Sequence, residues 1–505
     1  MMASILKFFE KIVWPLSIIV FVSFVVFVAT LAVSNPLCCA DDASIAIVSK
    51  NLASGLGYFS MVNYWGAGAD YMGMLFDPAI STGAASVLPV ALGIFLFGPS
   101  AAVPGLVHVA MYTSLISSFI LILYSLTGKT VTGSILIGFV LLILSTGAYH
   151  FEQWHAQLGE VLAALLIILG AALLSLKKPG YKVYFVAGLL IGASILAKLL
   201  AALYVGMVIL VLIVALFREP QSSKLFRFQI LVIFFVGTCV PITLFELWKL
   251  FSFGFDGWLA NWSHFLKFVM DEGIHVDSIA EPTQLLSHRW SSIHQRFFIP
   301  LVAITMLVIS YPFVATALPR KLRFFSIILL SGFVLHVAYW IFISNGKARY
   351  IYIAIVIGCL LISVAQGASK STFARGVLGI SYVMIVVAGL PKMDYRIANI
   401  DNNLIQTRST MIVADYIEAR HPQEKIHTQW WAHTAALEYL SLMPHRYSNW
   451  NEPRNRLAAD RLVISNSKFL QPNDIEYIEF LKSNCEEELA YGSYKLYQCS
   501  KYSDG

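Results

Sequence analysis

Of 505 residues, 58% are hydrophobic and only 13% are charged, about half the usual charged share. That balance excludes a soluble globular protein of this size and describes a polytopic membrane protein. The net charge of +6 is spread over short loops rather than gathered on one face, which excludes a nucleic-acid footprint and leaves a topology signal.

Lys7 and Lys11 precede an apolar run of roughly 20 residues, long enough to span and with no convincing small-residue cleavage site after it. We read it as a retained first span over about residues 12–34. A more polar segment follows from Asn35 to about Ala101, opening with Asp41 and Asp42. Two carboxylates where a span meets water are a functional-site hypothesis by default; the alternative is a helix N-cap at the interface. Within this segment, residues 83–97 are apolar but short and carry Pro89, which predicts a helix lying at the membrane surface. Further spans are expected at about 102–126, 132–149, 160–176, 183–197, 199–217, 228–250, 298–318, 324–343, 351–369 and 376–391, making about 11 with the first.

The distribution of Lys and Arg supports a surface position for residues 83–97. If they do not span, Lys129, Lys177, Lys178, Lys182, Arg218, Lys224, Arg227, Arg320, Lys321, Arg323, Lys370 and Arg375 all share the side of Lys7 and Lys11, the cytoplasm. The outer side then carries loops 35–101, 150–159, 251–297 and 345–350, together with the C-terminus. The transmembrane part occupies residues 1–393. From 394 to 505 the composition becomes that of a soluble α/β domain outside the cytoplasm. Its expected elements are a helix over 404–421, strands at Lys425–Gln429 and Arg461–Ser465, a helix over Asp474–Lys482 and a hairpin over Glu488–Gln498. Of six cysteines, Cys239 and Cys359 fall inside apolar spans as small hydrophobes. Cys485 and Cys499 flank the hairpin in an oxidising compartment, where a disulfide persists; two free thiols are the alternative.

Four features gather on the outer face: Asp41/Asp42, the loop His150–Glu160, Lys198 at a helix end, and Asn345–Tyr350. Carboxylates act as general bases or hold a cation, and Lys and Arg at a bilayer surface suit a phosphate, which Arg binds bidentately. Together they suggest a lipid-phosphate substrate. The alternative for Lys198 is a side chain snorkelling to the interface. His150, Glu152 and His155 are metal-ligand types, so a divalent cation is open there, but their spacing does not put all three on one helix face. Trp258, Trp262 and Trp290 in the long outer loop read either as an interfacial belt or as rings that stack on sugar.

The ordered succession of short motifs resembles the GT-C integral-membrane glycosyltransferases, in the branch of protein O-mannosyltransferases and lipid A aminoarabinose transferases. The matching pieces are the acidic pair followed by Asn51-Leu52-Ala53-Ser54-Gly55-Leu56-Gly57, then Phe76-Asp77-Pro78 with Ser81-Thr82-Gly83 and Leu88-Pro89, and Phe97-Gly98. Leu158-Gly159-Glu160, Ala197-Lys198 and Gly346 with Arg349-Tyr350 complete the series. The resemblance implies a transfer with inversion from a polyprenyl-phosphate sugar donor to a glycan, lipid or protein acceptor, at the outer (periplasmic) face of a bacterial cell membrane. It implies Asp41 or Asp42 as the base, and Lys198, Lys347, Arg349 and Tyr350 around the donor phosphate. Asp77, His150, Glu152, His155, Glu160, Arg289 and Arg296 are further substrate-binding candidates. A lipid-linked sugar flippase is the non-enzyme alternative and a polysaccharide polymerase or ligase the enzymatic one. No cofactor is implied beyond the open divalent cation.

Overall fold

The computed structural model describes residues 2–34, 37, 40–60, 75–78, 80, 83–127, 159–176, 180–217, 224–270, 305, 308–311, 314, 318–344, 348–368, 373, 376–380, 383–384, 387, 397–428, 431–443, 446–449, 461–467 and 472–499. The helices of the membrane part are α1 (Met2–Ser34), α2 (Ala40–Ala53), α3 (Ala84–Phe97), α4 (Ala102–Thr127), α5 (Glu160–Leu174), α6 (Tyr181–Ala197), α7 (Ala202–Phe217), α8 (Lys224–Val269), α9 (Arg320–Phe342) and α10 (Tyr352–Ala368). Among the described residues, 4 helical stretches are long and apolar enough to cross a membrane, Ala102–Ile122, Leu199–Phe217, Leu225–Val269 and Arg320–Phe342, with shorter apolar helices beside them. The chain is an integral membrane protein. The expected span at 132–149 lies wholly outside the described residues, that at 298–318 mostly, and that at 376–391 by half.

The helix expected at residues 83–97 forms as α3. At 1.5 Å per residue it is about 21 Å long, short of the ~30 Å hydrocarbon thickness. One face is buried through Val87, Val90 and Ile94, while Leu92, Phe95, Leu96 and Phe97 are exposed.

One boundary differs from the sequence reading. The outer loop expected from residue 251 is helical through Val269. Gly254 interrupts α8 with φ 71° and ψ 178°, a conformation open only to glycine at little cost. Beyond it the chain folds back. Trp258 Nε1 and Trp262 Nε1 donate to Glu246 Oε2 at 2.9 and 2.8 Å, and Lys249 Nζ lies 3.0 Å from Glu246 Oε1. Those two tryptophans latch the fold-back, so their indole N–H groups are already engaged.

Helices α6 and α8 cross backbone against backbone. A methyl group added at Gly192 would lie 2.0 Å from the Thr238 carbonyl oxygen, and one at Gly188 2.4 Å from that of Phe234. Small residues at such crossings let backbones touch where no hydrophobic force separates helix from lipid. Gly192→Ala should therefore destabilise the bundle by roughly 1–3 kcal/mol. The check is thermal unfolding in detergent against Gly206→Ala, where a methyl group meets nothing within 4 Å.

The last part of the chain forms an α/β unit. It comprises α11 (Ile400–Arg420), β1 (Ile426–Thr428), α12 (Trp431–Leu440), β2 (Tyr447–Asn449), β3 (Arg461–Asn466), α13 (Pro472–Asn484), β4 (Glu486–Tyr491) and β5 (Tyr494–Cys499). The sheet order is β2-β1-β3-β5-β4, parallel across β2-β1-β3 and antiparallel across β3-β5-β4. Alternation along β3 covers both faces: Leu462 and Ile464 pack with Val413 and Ile417 of α11, while Val463 packs with Leu481 of α13 and Tyr497. The expected hairpin is β4–β5, and Cys485 and Cys499 are joined in a disulfide. Helix α12 and strand β2 were not expected from the sequence.

Candidate active site

Helix α2 carries the acidic pair in its first turn and Lys50 in its last, each sign placed where the helix dipole favours it. Asp42 is only 2% exposed. The Asp41 side chain lies outside the described residues. One face of α2, through Ala43, Ala46 and Ile47, packs with Val90 and Ile94 of α3, Val103 of α4, and Ala435 and Tyr439 of α12. Tyr439 Oη donates to the Ser100 carbonyl at 3.0 Å. Burial and then the negative field of Asp42 push the Tyr439 phenol above its ordinary range, so it stays a neutral donor.

The opposite face of α2, through Ile45 and Val48, meets Tyr58, Phe76 and Val87, with Phe245, Trp248 and Phe253 of α8 around them. Tyr58 and Phe76 stack at 5.1 Å and 9°. Phe76 has φ 50°, costly for an aromatic residue, and three bonds hold the segment in place. Its N–H donates to the Tyr58 carbonyl at 2.8 Å, Asn261 Nδ2 donates to its carbonyl at 2.9 Å, and Asn51 Nδ2 of α2 donates to the Phe59 carbonyl at 3.0 Å. This clip holds Asp77, buried, beside Tyr58. Burial and then the Asp77 charge push the Tyr58 phenol well above its usual value.

Helix α3 links α2 to the C-terminal end of α6. Ser49 Oγ donates to the Val87 carbonyl at 3.3 Å. At the start of α3, Gly83 N–H donates to the Leu196 carbonyl at 2.7 Å and Ser86 Oγ to that of Ala197 at 3.2 Å. Gly83 is required there, since an added methyl group would sit 2.9 Å from the Leu196 oxygen. The next residue is Lys198, in extended backbone, whose Nζ lies 2.9 Å from Glu160 Oε1, the two side chains 6% and 1% exposed. Glu160 begins α5 directly after Gly159, whose φ of 88° forms the N-terminal turn. Two features separated in sequence thus touch. Tyr352 of α10 has Tyr112 and Glu160 as electrostatic neighbours, which brings a third helix to the pair. The Tyr350 carbonyl accepts from His336 Nε2 at 2.6 Å, fixing that nitrogen as the protonated one and pinning the start of α10.

Of the sequence candidates, the structure places Asp42, Asp77, Glu160, Lys198 and Tyr350. His150, Glu152, His155, Arg289, Arg296 and Lys347 lie outside the described residues, as does the Arg349 side chain, whose backbone belongs to the single turn Ala348–Ile351 before α10. Among the described residues no group of three or more His, Cys, Asp or Glu side chains is arranged to hold a metal. Sequence reasoning missed Lys50, Glu246 and Lys249. The last two stand as Glu-x-x-Lys inside an expected span, a signal in itself, because charge there demands a partner.

No protein-family profile matches the chain, and no curated protein matches it in sequence. Solved structures do match in fold. Crystal structures of ArnT from Cupriavidus metallidurans, bound to undecaprenyl phosphate and in the apo state, align over 95% of this chain and 97% of that one, with TM-scores of 0.61 and 0.59 at 10% and 11% identity. The archaeal oligosaccharyltransferase AglB from Archaeoglobus fulgidus, with an inhibitory peptide and a dolichol-phosphate, aligns over 89% of this chain and 69% of that one, with a TM-score of 0.48 at 12% identity. The likeness to ArnT is one of fold: the chain shares the membrane fold of that structure.

Proposed function

We propose that this chain is an inverting glycosyltransferase that moves a sugar from a polyprenyl-phosphate donor to a glycan, lipid or protein acceptor at the outer face of the cell membrane. The observation that carries the reading is the fold shared end to end with ArnT, captured with undecaprenyl phosphate, combined with a buried carboxylate at the outer start of α2. Asp41 or Asp42 takes the proton of the acceptor hydroxyl as its oxygen attacks the anomeric carbon. The bond from that carbon to the phosphate oxygen breaks, and polyprenyl phosphate leaves with the electron pair. Positioned base catalysis of this kind contributes about 10²–10⁴-fold. The leaving phosphate needs cations held ready for it, a role we assign to Lys198, Lys347 and Arg349, with Arg349 able to grip two oxygens at once. Asp77, clipped beside Tyr58, is a further substrate-binding candidate in this reading. The C-terminal α/β unit stands outside the cytoplasm, where its disulfide persists.

The test is the lipid extract of cells lacking the protein. A polyprenyl-phosphate sugar should accumulate and disappear again when the wild-type chain is restored. If no such lipid accumulates, the donor assignment fails.

A further inference from the structure

Asp42, Ala46 and Lys50 are spaced four residues apart on α2, and that side of the helix faces α12 of the C-terminal unit. Lys50 is 7% exposed. Its Nζ donates to the carbonyls of Glu438, Tyr439 and Ser441 at 2.6, 3.1 and 3.1 Å. An ammonium has three donors, and all three are used. The acceptors lie at the C-terminal end of α12, where a helix leaves carbonyls without partners of its own. Lys50 therefore caps α12 from another part of the fold.

The cap sits in a closed charge network. The Glu438 carboxylate accepts from the Arg446 and Tyr447 N–H groups, both at 3.0 Å. Glu418 accepts from Arg446 Nη1 at 2.6 Å and from Ser441 Oγ and Leu442 N–H, both at 2.9 Å. Two carboxylates thus balance two cations, Arg446 from the C-terminal unit and Lys50 from α2. At the other end of the contact, Tyr439 lies against Asp42 and bonds to Ser100 at the turn between α3 and α4. The C-terminal end of α12 is thus held twice, by Lys50 through its carbonyls and by Ser100 through the Tyr439 hydroxyl, and α2 has one wall made by the C-terminal unit. An apolar contact alone tolerates sliding and rotation. A buried cation with three directed bonds does not.

We propose that the C-terminal α/β unit is a positioning element of the active site. By capping α12, Lys50 fixes the orientation of α2 and with it the Asp41/Asp42 pair. The role of the pair rests on the transferase reading; the contact itself does not.

The experiment uses the full chain in detergent and Lys50→Met, which keeps side-chain length and removes every donor. Hydrogen exchange of the α2 amides should quicken by about tenfold or more in the variant, while exchange in β3 and β5 stays as in wild type. Undecaprenyl phosphate should bind within about twofold of wild type, although the donor lipid accumulates in cells carrying the variant. Lys50→Arg, which keeps charge and donors, should restore part of the α2 protection. Unchanged α2 exchange overturns the proposal, as does equal loosening of α2 and the sheet, which would make Lys50 a support of the C-terminal unit alone. The transferase reading fails separately, through the donor lipid and the Asp variants, and the exchange measurement does not depend on it.

Discussion

Asparagine in place of the catalytic carboxylate should lower sugar transfer by about 10²–10⁴-fold while donor binding persists. The change is isosteric and removes one capacity, accepting a proton. It also removes a negative charge from a position that is 2% exposed and faces the Tyr439 phenol. Burial raises the energy of an ionised carboxylate, so Asp42→Asn is not expected to unfold α2. Asp41→Asn and Asp42→Asn made separately tell which residue is the base: the base variant loses turnover, and the other keeps most of it. The measurement is product formation in membranes beside binding of undecaprenyl phosphate to purified protein. If both single variants and the pair keep more than about a tenth of wild-type turnover, proton abstraction by this pair is wrong.

The sequence exposed those parts of the molecule that local pattern encodes. The span expected at 102–126 appears as the helix Ala102–Thr127 because an apolar run of membrane length has few other uses, while the segment expected at 183–197 appears as the shorter apolar helix Tyr181–Ala197. The β4–β5 hairpin and its disulfide were legible from alternation and cysteine placement. The acidic pair stood out because charge at the end of a span is expensive. What stayed hidden depends on distance. Nothing near Lys50 announces that its partners are 388 to 391 residues away. Helix α12 is ten residues long and its periodicity is weak; it becomes a helix by packing on α2. Trp258 and Trp262 read from sequence either as an interfacial belt or as rings that stack on sugar, and neither reading shows that Gly254 turns the chain and delivers both indoles to Glu246. Lys198 showed its type and its place at a helix end, while its companion Glu160 belonged to another motif.

That companion gives the second large effect. Glu160→Gln leaves the Lys198 ammonium buried without its counter-ion, and breaking such a pair from one side costs ~3–5 kcal/mol. The unfolding midpoint in detergent should fall sharply for Glu160→Gln and for Lys198→Met. The double variant should recover most of the loss, because removing both charges also removes their desolvation cost; the coupling of the two changes is itself the measure of the pair. The double variant then separates two roles for Lys198. If the lysine serves only to neutralise Glu160 at the junction of α5, α6 and α10, the recovered protein binds undecaprenyl phosphate as wild type does. If it also supplies charge to the donor phosphate, the recovered protein stays folded and binds that lipid at least tenfold more weakly, about 1.4 kcal/mol. Glu160 in the second case holds the ammonium in place until phosphate arrives, and the leaving group draws on a cation whose position the fold has already fixed.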